Sequence, residues 1–185
     1  MPLFRFSKKL SPKGGDLTKN ADLGILVFEH TSEVIHAEST LKANGWEVRV
    51  MGPPPELRTG CDLVIEFPLI EELNILRTLR KKGLRPLKVV PVNNPLLNPV
   101  DIFHIKDFGQ YLMVRAANMK LTVEKTSMVI VNVSGGGYPD VPYLAFQLVG
   151  KKLDEAPNPR EISHTLCGYA SQLAFDEAKQ RCSPL

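Results

Sequence analysis

The chain has 185 residues, with 43% hydrophobic and 23% charged side chains, which is enough to bury a core and too apolar for a disordered chain. A formal charge of +3 does not mark a nucleic-acid binder by itself. No apolar run approaches the length of a membrane span, and the N-terminus lacks a signal-peptide core, so the sequence reads as a soluble cytoplasmic protein.

Residues 1–20 are rich in Lys, Ser, Pro and Gly and read as a flexible basic arm. The compact apolar run Leu23–Glu29 then has buried-strand character. Thr31 or Ser32 is placed to cap a helix over Glu33–Ala43, whose Val34, Ala37 and Leu41 recur at helical spacing, and Asn44-Gly45 ends it. A strand follows at Glu47–Met51. The loop after it holds Pro53, Pro54 and Pro55 and closes on Thr59-Gly60-Cys61, delivering a cysteine to the start of a strand at Asp62–Phe67. A helix over Ile70–Lys82 and a strand over Leu87–Val92 complete the order βαββαβ across residues 22–93. Two split βαβ units of this kind give a ferredoxin-like antiparallel sheet with both helices on one face. In that topology Glu29-His30 sits beside the start of the third strand at Cys61, and the N-terminus of the first helix lies at the same end. His30, Arg58 and that helix terminus would then form the electrostatic environment of a Cys61 thiolate.

The Pro/Asn-rich stretch 93–101 reads as a boundary before a C-terminal α/β extension over 102–181. Ile105, Phe108, Leu112, Ala116 and Met119 predict a helix over Ile105–Met119, with Gly109 as its weak point. Met128–Val133 is the one strong strand of this half, and it runs into Ser134, Gly135, Gly136 and Gly137. A helix over Val141–Val149 follows, with Asp140 as a candidate cap. A strand, a glycine loop and a helix N-terminus form a generic anion-binding arrangement, so these four residues are either a ligand-binding loop or a tight turn. A last helix opens at Asn158-Pro159-Arg160-Glu161 and reaches Gln180, with Leu166, Tyr169 and Leu173 on one face. The extension is thus expected to hold one strand and about three helices, in an α+β protein overall.

The three cysteines, Cys61, Cys167 and Cys182, are too widely separated for a disulfide framework or a CxxC metal site. The four histidines lack HxH or HxxxH spacing, so neither a metal nor another cofactor is expected. His164 and Cys167 stand three residues apart, a spacing read as core or surface placement before a thiol–imidazole pair.

The order LVFE, a Thr-containing turn, a helix with Ala-Glu near its middle, a strand, PPPEL and TGCDLVIEF resembles the small selenium/sulfur carrier-like domain family over residues 22–93. The resemblance puts Cys61 at the family's cysteine position and implies a carrier role. The chain departs from the pattern at Asp62, where a small residue is expected and where a carboxylate opposes thiolate formation, and in its long C-terminal extension. Two function classes follow. In the first, Cys61 carries a persulfide between a donor enzyme and an acceptor, at most a sulfurtransferase-like activity, with both partners being proteins and homo-oligomerisation left open. In the second, the protein is a non-catalytic binding or assembly module whose Gly135–Gly137 loop holds an anion or a partner's terminus. An RNA-binding role is disfavoured, because the sheet lacks the aromatics that base stacking needs.

Overall fold

The computed structural model describes residues 22–58 and 62–182, so the arm over 1–20 and the Thr59-Gly60-Cys61 turn lie outside the described residues. The fold is α+β, with two four-stranded antiparallel sheets and five helices among the described residues. The first sheet contains β1 (Leu23–Val27), β2 (Arg49–Met51), β3 (Val64–Pro68) and β4 (Lys88–Pro91), in the order β2-β3-β1-β4. Helix α1 (Thr31–Ala43) links β1 to β2, and α2 (Glu72–Lys81) links β3 to β4, which is the βαββαβ arrangement expected from the sequence.

The period-two rule explains how this sheet is shared between two cores. Leu26 and Phe28 of the β1 run, with Ile65 and Phe67 of β3, face Val34 and Leu41 of α1 and Ile75 and Leu79 of α2. The alternate residues Ile25, Val27, Met51 and Val64 form a smaller cluster on the other face, packed by Leu57 and Val92. Leu57 belongs to a 3-10 turn at Pro55–Leu57, and Val92 begins the connector, whose own 3-10 turn at Pro95–Leu97 packs on the first. Gly52 and Val100 exchange two backbone hydrogen bonds (2.6 and 2.8 Å), pinning the connector to the proline loop.

The second half corrects the sequence reading. The expected helix over Ile105–Met119 is a β-hairpin, β5 (Phe103–Asp107) and β6 (Tyr111–Ala116), and two further strands follow, β7 (Met119–Glu124) and β8 (Val129–Gly135). The sheet is a simple meander, β5-β6-β7-β8, in place of a single strand. Gly109, at φ +78, sits in the hairpin turn, and Asp107 Oδ1 accepts its N–H at 2.8 Å, so the turn is built by a short polar side chain and a left-handed glycine. In β6 burial follows a period of two, with Leu112, Val114 and Ala116 buried on one face.

Three helices cover this sheet: α3 (Val141–Leu148), α4 (Pro159–Ile162) and α5 (Leu166–Cys182). The expected single helix from Pro159 to Gln180 breaks at Ser163–Thr165. Thr165 Oγ1 accepts from the N–H groups of Cys167 (3.1 Å) and Gly168 (3.3 Å), which makes it the N-cap of α5. Gly168 packs directly against the backbone of Ser163, where a Cβ would collide with the carbonyl oxygen.

The halves are not independent. Ile102 and Tyr169 belong to the core of the first half, and Phe103 and Leu173 pack against both large cores. Across this seam the buried Tyr169 hydroxyl donates to Glu38 Oε2 at 2.8 Å, while Lys42 Nζ donates to Glu38 Oε1 at 2.8 Å. Arg160 stacks over the Tyr169 ring and donates to Ser39 Oγ at 3.0 Å. Glu38 is only 4% exposed, so each lost partner exposes the cost of a buried charge. Tyr169→Phe is expected to destabilise the protein by about 1.5–3 kcal/mol, the range for a hydrogen bond to a charged group. Urea unfolding measures this, and an unchanged midpoint would mean that the seam contributes no net stability.

Candidate functional site

The register Leu26↔Ile65 and Val27↔Lys88 fixes what gathers at one end of the first sheet. There β1 runs out toward Glu29 and His30, α1 begins at Thr31, and the chain passes through Asp62 into β3. The neighbourhood inferred from the sequence for His30 and the start of the third strand is therefore the one the ladder builds. His30 is exposed and occupies the N-cap position of α1, one residue before the expected Thr31 or Ser32, and its backbone N–H donates to Glu33 Oε2 at 3.0 Å. Arg58 is exposed at the C-terminal end of the 3-10 turn Pro55–Leu57. Cys61 itself lies outside the described residues; the described residues that flank it in sequence are Arg58 and Asp62.

Asp62 and Leu63 line a cleft of about 280 Å³. On the first-half side the wall is completed by Thr31, the first residue of α1. The second half contributes Ala117 and Asn118 of the β6–β7 turn and Leu166, Tyr169 and Ala170 of α5, and Ile102 also lines the cleft. Ala117 takes φ +50, an uncommon backbone for a residue with a Cβ, and its N–H donates to the Ile102 carbonyl at 3.1 Å. The cleft therefore combines a carboxylate, an amide and a helix N-terminus with a largely apolar floor. None of its second-half residues was marked as functional by the sequence. Helical spacing puts Tyr169 and Leu173 on one face, and that face meets the first half, but nothing in the pattern names its partner.

The glycine loop, read from the sequence as a ligand-binding loop or a tight turn, packs against Cys167. Ser134 and Gly135 end β8, and the Gly136 N–H donates to the Asn118 carbonyl at 3.1 Å. A Cβ on Gly136, which has φ +60, would stand 2.5 Å from the Cys167 sulfur. The N–H groups of Gly137 and Tyr138 face that same sulfur. The loop thus closes over a buried thiol, and its donors at Gly136, Gly137 and Tyr138 are directed to groups within the protein. Burial raises the Cys167 pKa, the negative charge of Asp140 adds to this, and the two N–H groups only partly offset it. His164 is exposed in the break between α4 and α5 while Cys167 is buried, so the two are not placed as a pair. Cys182 ends α5, and its pKa is likewise raised, chiefly by burial.

Asp140 stands at the N-cap position of α3 but its side chain makes no capping bond there. Its Oδ2 instead accepts from the hydroxyls of Ser163 and Thr165, the latter at 2.6 Å. Burial opposes its ionisation, but these hydroxyls outweigh that and hold its pKa below the ordinary aspartate value. Among the described residues, no group of three or more His, Cys, Asp or Glu is placed to hold a metal ion, and no helix is long and apolar enough to cross a membrane.

Two outcomes test this half. Because Asp140 has a depressed pKa in the folded state, its contribution is complete above its unfolded value of about 3.9 and is lost as pH falls through the folded value. The stability difference between wild type and Asp140→Asn should therefore shrink on acidification, as urea midpoints from pH 6 down to about pH 2 would record. Iodoacetamide at pH 8 should leave Cys167 unmodified in the folded chain and label it in urea; labelling at the rate of a free thiol would contradict its buried placement.

Residues 23–91 match the family described as "Putative Se/S carrier protein-like", and residues 102–183 match a domain of unknown function (DUF8182). The chain is 43% identical over 149 residues to the uncharacterized protein MJ0011 of Methanocaldococcus jannaschii, an alignment that covers 79% of this chain and 75% of that protein. No solved structure matches the chain.

Proposed function

This chain belongs to the family of the Methanocaldococcus jannaschii protein and carries a Se/S carrier-like domain at residues 23–91, and from that premise we propose that it is a sulfur or selenium relay protein holding its cargo atom on Cys61. The observation that carries the reading is that Asp62, the residue after Cys61, lines a cleft whose far wall is supplied by the second half. A relay thiol needs access for two partners in turn and a setting that favours its anion. The α1 N-terminus at Thr31 and the exposed Arg58 supply positive potential at that end of the sheet, and Asp62 and Glu29 moderate it.

The chemistry is an exchange with no net oxidation. The Cys61 thiolate attacks the terminal sulfur of a donor persulfide, a new S–S bond forms at Cys61, and the donor's S–S bond breaks to release its thiolate. The acceptor's nucleophile then takes the terminal sulfur, and Cys61 leaves as thiolate. Selenium would follow the same steps as a selenosulfide. A reducing cytoplasm suits such a thiol, and the donor and acceptor are proteins.

The test is intact-mass analysis after incubation with glutathione persulfide, followed by alkylation and peptide mapping. The expected result is one added sulfur on Cys61, absent in Cys61→Ser. A folded protein that gains no sulfur at Cys61 would overturn the relay reading.

A further inference from the structure

Residues 77–88 carry Arg77, Arg80, Lys81, Lys82, Arg85 and Lys88 with no acidic residue among them. All six are exposed, and none forms an ion pair with a described residue. Their charge exceeds the +3 of the whole chain, so the remainder of the protein is net acidic. Compensation of the α2 macrodipole accounts for Arg80 and Lys81 in its last turn, but not for the cations that continue beyond the helix.

The segment is held firmly and at a particular place. Leu84, 7% exposed, is buried in the first core, and its N–H donates to the Leu79 carbonyl at 3.1 Å. The Leu87 N–H donates to the Val27 carbonyl at 2.7 Å, and Lys88 pairs with Val27 in the sheet. That is the end of the sheet where β1 runs out to His30 and where Asp62 leads into β3. The basic segment therefore flanks the end at which the relay thiol is expected. Large apolar side chains accompany it. Leu87 is 54% exposed, Leu73 is 69% exposed on the same outer stripe of α2 as Arg77 and Arg80, and Ile70 is 91% exposed one turn earlier.

We propose that the outer face of α2 and the turn to Lys88 form the docking surface for an acidic protein partner, which delivers or receives the cargo of Cys61. The proposal rests on the relay reading for the partner's role, but the surface stands on its own charge and exposure. Exposed apolar side chains at both ends of a run of cations supply the apolar contact and the charge that a protein interface combines. A nucleic-acid surface would want aromatic platforms among the cations, and residues 70–88 contain no aromatic side chain. Opposite charge would steer the encounter, and the apolar residues would hold it briefly, as a transient relay requires.

The test uses the full chain carrying Cys61→Ser, which cannot take up sulfur, so the docking result does not depend on the relay result. Two labelled probes are titrated by fluorescence anisotropy: a helical peptide with Glu on one face and Leu on the other, and an oligouridylate of equal charge. The peptide should bind, weaken with salt, and lose about tenfold in affinity when Arg77, Arg80 and Lys81 are changed to Glu. Leu73→Ser should cost it about threefold or more with the fold unchanged by circular dichroism. Equal or tighter binding of the oligouridylate would make this a nucleic-acid face and overturn the proposal. So would an absence of peptide binding, or peptide binding indifferent to the charge reversal or to Leu73→Ser.

Discussion

The contact between Tyr169 and Glu38 sets the relation of everything else. A carboxylate buried to this degree is tolerable only if its oxygens are fully engaged, and here Lys42 from its own helix takes one and the Tyr169 hydroxyl from the other half takes the second. Burial and the adjacent carboxylate both push the Tyr169 pKa far up, so its proton stays in place to be donated. The bond fixes α5 against α1 at one position along both helices, where hydrophobic contact alone would allow sliding. Because Tyr169 and Ala170 also wall the cleft, the same bond fixes the width of the space beside Asp62. The second half is therefore part of the candidate site's architecture and not an appended module.

The first half was legible because its signals were local and mutually consistent. Strand runs of the right length, a helix with a clear apolar stripe ending at Asn44-Gly45, and a proline loop between two strands allow few topologies once crossovers are right-handed. The second half was misread for a physical reason. Ile105, Phe108, Leu112, Ala116 and Met119 fall at helical spacing only because two strands with a tight turn between them happen to present apolar residues at those intervals. The informative residue was Gly109 after Asp107, a turn signal that outweighs a stripe of five apolar positions. Similarly, Thr165 looked like a helix-interior residue but caps α5, because its hydroxyl competes for the N–H groups of Cys167 and Gly168.

The site was legible only as far as strand adjacency carries. That the end of β1 meets the start of β3 follows from topology, and His30, Glu29 and Asp62 are placed together on that ground. The far wall depends on how two sheets dock, which no periodicity encodes. The glycine loop shows the opposite case. Its motif was visible, but the need for glycine comes from the Cys167 sulfur about thirty residues later in the chain, pressed under Gly136.

This last packing bears on the proposed relay, in which one of three thiols holds the cargo. Exchange chemistry requires that the receiving thiol ionise near neutral pH, and rates fall as its pKa climbs above ambient. Cys167 is sealed beneath the loop and faces the charge of Asp140, while Cys182 is pushed up by burial at the end of α5. Both therefore ionise less readily than a free cysteine. In the proposed relay, Cys167 and Cys182 are thus the less readily ionised competitors for an incoming sulfur atom. A buried Cys167 and a half-buried Cys182 suit the proposed carrier, which must release its cargo to a partner and not to itself.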